Sequence, residues 1–274
     1  MSVTQADIRR AICALGLAGR PLCLHSSLRS FGHVAGGAPA VVRSFLEEGC
    51  TVLVPTFSST FGVAPPPHLR FERNGWDDDA VTAPRTGAGR VFNPEASDID
   101  RDMGAVPAAV LGWRGRARGR HPLDSFAAVG PRASEFVAGQ SPLDVYAPMK
   151  ALAKAGGSVL LAGVGLERMT LLHLAEKEAG RTLFRRWANG ADGEPTAVEV
   201  GGCSEGFGKL EPCLRPVMRT TLVGRSMWKS LPTDEALARA AAAIRDDPPL
   251  THCGDPACAR CRDAVAGGPL LRVC

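Results

Sequence analysis

Short apolar runs alternate with stretches of helical spacing along most of this chain, and the punctuation between them is glycine, proline and small polar residues. Thr4-Gln5-Ala6-Asp7 has the composition of a helix N-cap and first turn, because the Thr4 hydroxyl can accept from an orphan backbone amide. That helix is predicted to run to about residue 17. Residues 21–25 (P-L-C-L-H) read as a strand and residues 26–32 as a polar loop. A helix over 38–47 and a second buried strand over 50–55 complete a β-loop-α-β unit. Residues 141–154 read as a turn and a helix. Residues 159–162 are a further buried strand, Gly163-Val164-Gly165 a tight turn, and 169–179 a helix with apolar positions at Met169, Leu172, Leu174 and Ala175. Strand, tight turn and helix in that order is where α/β proteins place ligands, at strand C-termini and helix N-termini. Beyond it, 182–187 and 196–200 read as strands joined by the Asn-Gly and Asp-Gly steps of 189–193, and 217–224 as another. A helix with Thr233 as N-cap is predicted to run to about residue 245. Neither repeat nor linker interrupts this pattern, so the expectation is one α/β domain over residues 1–245 and a Cys-rich segment over 246–274.

Composition narrows the function. A net charge of +4 on 274 residues is too small an excess for a nucleic-acid module, which concentrates basic charge on one face. No apolar run approaches the ~18 residues that cross a bilayer, and the polar first ten residues lack a signal-peptide pattern. A cytoplasmic location is therefore expected, with neither nucleic acid nor membrane as partner. Nine cysteines fit that reading, since five lie singly within the first 213 residues, where small buried thiols are the ordinary explanation. Neither a P-loop nor a dinucleotide G-x-G-x-x-G is present, which argues against ATP and NAD.

The candidate chemistry sits in a few places. Thr170, His173 and Glu176 follow one another at spacings of three on the predicted helix, hence on one face. A carboxylate can hold an imidazole in one tautomer, and the imidazole can then take a proton near neutral pH. The plainer reading is a core histidine bonded to a neighbour. The loop Ser26, Ser27, Leu28, Arg29 and Ser30 offers hydroxyls, amides and a cation to a phosphate. Four arginines within 113–120 suit either an anion contact or an exposed basic loop, and the second reading is the commoner one. Acidic candidates are Glu72 with Asp77-Asp78-Asp79, then Asp98, Asp100 and Asp102, then Glu205. In the tail, Cys258-x-x-Cys261 has metal-knuckle spacing, and Cys253 with His252 or Cys274 would complete a tetrahedral set. A structural zinc therefore stands beside free thiols or a redox pair.

Four stretches, in order, carry a resemblance: 24–37 with 52–58; Phe92-Asn93-Pro94 with 101–107; His121-Pro122 with Ser125-Phe126-Ala127-Ala128 and Gly130; and Gly163-Val164-Gly165 with Thr170 and His173-Leu174-Ala175-Glu176. Together they resemble the aminoglycoside N3-acetyltransferase family. That resemblance implies a three-layer α/β/α domain and transfer of acetyl from acetyl-CoA to the 3-amino group of a 2-deoxystreptamine aminoglycoside. It also implies that residues 26–30 hold the coenzyme's phosphates and pantetheine with Ser125 and Phe126 nearby, that His173 is the general base, and that Thr170 lies close to the thioester. An attacking amine must lose a proton, and the tetrahedral intermediate needs donors, for which Thr170 or the 163–165 backbone is available. Glu176 would orient His173, and His25 reads as a core group behind the coenzyme loop. Glu205, Glu72 and Asp77 are the candidates for a polycationic acceptor. Met169 and Leu171, where relatives often carry polar residues, keep open an acyl-CoA-dependent N-acyltransferase for another amine. A non-catalytic coenzyme- or metal-binding protein is the third reading. A homodimer is an open option.

Overall fold

Along the buried strands, alternate side chains enter two separate cores. Leu22 and Leu24 pack on one side and Cys23 on the other; Val52 and Val54 oppose Leu53; Leu160 and Ala162 oppose Val159 and Leu161. A strand covered on both faces has a period of two with no polar side, which is why these runs read as continuous apolar segments.

The computed structural model describes residues 2–76 and 90–271. Its strands are β1 (Pro21–Ser26), β2 (Thr51–Pro55), β3 (Gly62–Val63), β4 (Phe71–Arg73), β5 (Ala117–Arg118), β6 (Phe126–Val129), β7 (Ser158–Ala162), β8 (Phe184–Asn189), β9 (Pro195–Val200), β10 (Arg219–Val223), β11 (Ser226–Pro232) and β12 (Leu270–Leu271). Its helices are α1 (Gln5–Ala14), α2 (Gly37–Glu47), α3 (Ala105–Leu111), α4 (Ala133–Val137), α5 (Ala147–Lys154), α6 (Leu171–Glu178), α7 (Glu211–Leu214), α8 (Thr233–Asp246) and α9 (Ala259–Val265). Seven strands form the main sheet in the order β10-β11-β7-β1-β2-β6-β5. Only β7, β1 and β2 run parallel to one another; both flanks are antiparallel. Helices α1, α2 and α3 cover one face, and α4, α5, α6 and α8 the other. The domain is the expected three-layer α/β/α. A smaller sheet, β3-β8-β9, carries its own core of Phe61, Leu123, Phe184, Ala188, Val198 and Val200.

One sequence expectation is corrected here. Thr233 is the first residue of α8 rather than its cap: Pro232 occupies the cap position, no side chain caps the helix, and the Thr233 hydroxyl is buried without a partner among the described residues. Strand β11, where the sequence reading assigned no element, pairs with β7 inside the main sheet. By contrast, Thr4 caps α1 as expected, in a reciprocal box in which its hydroxyl accepts from Asp7 N while the Asp7 carboxylate accepts from Thr4 N.

The arginine-rich stretch before β6 is only in part the exposed loop that its composition suggested: Arg114 and Arg120 are exposed, whereas Arg116 and Arg118 are not. Arg118 is buried and donates to Thr56 O, Asp98 O, Ala96 O and the Ser125 hydroxyl, each within 2.8–2.9 Å. Arg116 donates to Leu111 O, Pro94 O and Glu95 O. These guanidiniums pin the segment 94–98 against β2 and β5. Burial lowers Arg118 to about 10, and its carbonyl partners keep the charge tolerable.

Trp228 of β11 anchors the α1–α3 face. Its ring is fully buried, stacked on Phe45 at 5.9 Å and edge-on to Phe31 at 5.7 Å. Truncation to Ala should cost about 3–5 kcal/mol, read from denaturant unfolding. A loss below about 1 kcal/mol would mean that this face is not held by the indole.

Candidate active site

The parallel strands diverge in their connections at β1: the chain leaves it for β2 on one side, while β7 lies on the other. Their C-terminal ends leave a crevice there. It is a cavity of about 710 Å³, walled by Leu24, His25, Ser26 and Ser27 from the end of β1, Pro55 and Phe57 after β2, and Gly163 and Val164 after β7. Gly163 permits the turn. Its φ is +73°, and a Cβ there would fall 1.8 Å from the Ser30 hydroxyl.

The residues Thr170, His173 and Glu176 are brought together as their spacing predicted. His173 and Glu176 lie on α6, buried at 8% and 4% exposure, with Thr170 immediately before its first turn. His173 Nδ1 meets Glu176 Oε2 at 2.9 Å. The other oxygen, Oε1, accepts from Arg181 Nη1 and from the Thr251 hydroxyl at 3.2 Å. Arg181 Nη1 also donates to Thr251 Oγ1 at 2.8 Å. A buried carboxylate is tolerable only with such partners, and here they come from α6, the turn after it, and the tail. Among the described residues only Nδ1 of the imidazole is engaged, so Nε2 is left for the cavity that His173 lines.

Three neighbours hold the ring itself. Tyr146 stacks on it at 6.1 Å, Phe207 meets it edge-on at 4.7 Å, and Gly201 presses on it so closely that a Cβ would lie 2.7 Å from His173 Cδ2. Burial lifts the Tyr146 phenol well above its ordinary range, so it stays neutral. Sequence reading missed Tyr146, Phe207 and Gly201, because nothing local marks a contact across more than twenty residues.

Thr170 Oγ1 lies 3.4 Å from His25 Nε2, whose ring burial lowers to about 4. Cys23 Sγ lies 3.5 Å from the same nitrogen. The tautomer in which a neutral His25 carries its proton on Nε2 donates to Thr170 and leaves the hydroxyl proton for the cavity; the other tautomer accepts it. The glycine-turn amides are less available than expected. Gly163 N donates to Met227 O at 2.9 Å and Gly165 N to Glu167 Oε1 at 3.1 Å. Leu171 is fully buried in the core, whereas Met169, 1% exposed and packed on the same core, also lines the cavity beside Thr170. The apolar flank of Thr170 therefore reaches the cavity through Met169 and not through Leu171.

Other sequence candidates are placed as follows. Ser26 and Ser27 border the cavity. Ser30 donates to Ser27 O at 2.6 Å and lies 2.8 Å from the Ser226 hydroxyl, from which it can accept; Leu28 packs half-buried on the core, and Arg29 is exposed. Ser125 and Phe126 do not reach the cavity. Ser125 is buried between Thr56 and Arg118, and Phe126 is a core ring edge-on to Phe57. Glu205 is exposed, with Ser204 beside it on the cavity wall, and Glu72 is exposed on β4, away from it. Asp77 lies outside the described residues. Asp98 pairs with Arg90 and Asp100 caps Ser59, whereas Asp102 lines the cavity.

Two acids of the cavity wall were not singled out in the sequence: Glu167, which accepts from Gly165 N, and Asp124, which feels the charge of His173. His121 aims Asp124: Nε2 donates to Glu199 O at 2.8 Å, and Nδ1 then accepts from Asp124 N at 2.8 Å. Burial lowers His121 to about 4, in keeping with a neutral structural ring. Burial raises Asp124 to about 7, against the pull of His173 and Arg186. The only sequence signal was its place in the run from His121 to Ser125.

The tail cysteines are not a unit by themselves. The sulfurs of Cys203, Cys253, Cys258 and Cys261 all lie within 4.8 Å of one another. His252 is not among them; its Nδ1 accepts from Gly254 N at 3.1 Å. Cys274 lies outside the described residues.

The family model for aminoglycoside 3-N-acetyltransferases matches residues 23–245, which include Asp124, the whole of α6 and the lining of the crevice apart from Arg260. The chain belongs to this family. A curated relative, aminoglycoside N(3)-acetyltransferase IX of Micromonospora chalcea, is 34% identical over 182 residues, 64% of this chain and 62% of the relative. Type VII from Streptomyces paromomycinus is matched over 60% of its length, so this chain spans under two thirds of these relatives. Among solved structures, the apoenzyme of aminoglycoside acetyltransferase AAC(3)-IVa superposes with a TM-score of 0.80 at 23% identity, over 97% of this chain and 98% of that one. The AAC-IIIb binary complex with CoASH gives 0.73 at 21%, over 90% and 97%. Both show the same fold. Among the described residues no helix is long and apolar enough to cross a membrane.

The raised Asp124 makes a pH prediction. In the unfolded chain an aspartate ionises near 4, whereas in the folded protein it stays protonated to about 7. The folded state binds the extra proton in that window, so this group's contribution to stability falls as pH rises from about 4 to about 7. Asp124→Asn should be more stable than the parent at pH 8, by on the order of 1–3 kcal/mol, and nearly equal at pH 4. Equal stabilities at both pH values in denaturant titrations would show that Asp124 ionises freely.

Proposed function

We propose that this protein moves the acetyl group of acetyl-CoA to the 3-amino group of a 2-deoxystreptamine aminoglycoside, with His173 as general base. The observation that carries this is the buried His173–Glu176 pair at the cavity with Nε2 unengaged. The family, and the N(3)-acetyltransferase names of its curated relatives, support the reaction and its position on the sugar. The coenzyme-bound relative supports the donor.

The chain's own groups divide the work. Glu176 accepts from His173 Nδ1–H and stabilises the positive charge that appears when Nε2 takes a proton. Nε2 takes that proton as the acceptor nitrogen bonds to the thioester carbonyl carbon, and returns it to sulfur as the carbon–sulfur bond breaks. The Thr170 hydroxyl donates to the carbonyl oxygen as it becomes an oxyanion. The Ser26–Ser27 edge and Arg168 meet the coenzyme's pantetheine amides and phosphates. Asp124 and Asp102 face a polycation from the same cavity wall. Glu205 stands at its rim. Binding a cationic amine beside Asp124 favours its carboxylate, so acceptor binding at this site expels a proton.

Thiol release from acetyl-CoA, with 4,5- and 4,6-disubstituted deoxystreptamines and simple amino sugars as acceptors, tests the reading. His173→Ala should lower turnover about 10²–10⁴-fold with coenzyme binding little changed. Retained turnover removes His173 as base. Turnover with simple amino sugars but none with deoxystreptamines removes the acceptor.

A further inference from the structure

Three of the four clustered thiols come from the tail, and the fourth, Cys203, comes from the segment that leaves β9. Cys203 is half-buried, Cys253 and Cys258 likewise, and Cys261 is buried on α9. None is in a disulfide. Four sulfurs within 4.8 Å of one another, on four separate backbone positions, match the edge of a tetrahedron about 3.8 Å long that zinc–sulfur bonds of about 2.3 Å generate. The backbone also behaves as it does around bound thiolates, since Cys253 N donates to Cys261 Sγ at 3.3 Å. Soft sulfur donors in this number select zinc over the hard cations, and four protein ligands leave no open position for catalysis.

We infer that Cys203, Cys253, Cys258 and Cys261 bind one structural zinc ion, which clamps the tail to a wall of the active site. Cys203 lies between Gly201, pressed on the His173 ring, and Phe207, edge-on to the same ring at 4.7 Å. Its neighbours Gly202 and Ser204 line the cavity, and so does Arg260, which sits between Cys258 and Cys261. A hydrogen bond from Lys209 Nζ to His252 O at 2.7 Å is a second tie between the two segments. Zinc at this point holds the Gly201–Phe207 segment against the imidazole from outside, without touching substrate. The imidazole of His252 is not a ligand, although it neighbours one.

The test begins with metal analysis of the purified full chain. About one equivalent of zinc is expected in the parent, in Cys13→Ser and in His252→Ala, with at least a tenfold loss of zinc affinity in Cys203→Ser and Cys258→Ser. Stripping zinc from the parent with a chelator should lower its thermal midpoint, and adding zinc back should restore it, which covers the case of a cysteine variant that does not fold. The activity arm rests on the acetyl-transfer reading: chelation should raise the acceptor KM or lower turnover, with coenzyme binding kept. The metal arms stand without that reading, so a zinc-bound protein inactive on every acceptor sinks the proposed reaction and leaves the clamp. Freely titrating thiols with no metal would overturn the clamp, as would iron in place of zinc. Zinc retained in Cys203→Ser and lost in His252→Ala would overturn the ligand set.

Discussion

Glu176 is a carboxylate almost sealed from water, and the arrangement of the active site follows from how it is satisfied. One oxygen holds His173 Nδ1; the other takes Arg181 and Thr251. An uncompensated charge at that depth costs several kcal/mol, so these partners must come together for α6 to pack. Arg181 in turn donates to Pro248 O, which draws the start of the tail beneath α6. The same contacts that neutralise Glu176 orient the imidazole, and stability and chemistry share one network.

The rest of the cavity is positioned by the sheet. Because β1 stands between β2 and β7, the ends of three parallel strands open on one crevice. The rim then comes from segments far apart in the chain: the loop after β1, the His121-held turn with Asp124, and the stretch from Gly201 to Phe207. Buried polar contacts hold parts of this rim. His121 spans Glu199 and Asp124, and Arg118 ties 96–98 to Thr56 and Ser125. A family whose members act on bulky cations can vary such loops while the sheet and α6 stay as they are.

What was legible in the sequence was local. Thr170, His173 and Glu176 were readable because a helix places i and i+3 together, and β1, β2 and β7 because two-sided burial leaves uninterrupted apolar runs. Strand β11 was not, since its S-M-W-K-S-L-P run sends Met227 outward and Trp228 inward, with Lys229 and Ser230 after them, a half-polar pattern that marks no strand. Arg116 and Arg118 were misread because composition cannot show which carbonyls converge on a guanidinium. Asp124 and Cys203 were missed for the same reason: each gains its role from residues some fifty positions away in sequence. Acidic clusters and the resemblance favoured the exposed Glu72 and Glu205, while the cavity wall carries Asp102, Asp124 and Glu167.

The central claim is that Glu176 holds the His173 proton on Nδ1 and leaves Nε2 as the acceptor in the cavity. Nitrogen-15 chemical shifts of the His173 ring, assigned by comparison with His173→Ala and recorded in alkaline solution, report the tautomer directly. The account predicts a protonated Nδ1 and a bare Nε2, with the signature lost in Glu176→Gln. A ring carrying its proton on Nε2 would contradict it, because that nitrogen could then accept nothing from an attacking amine.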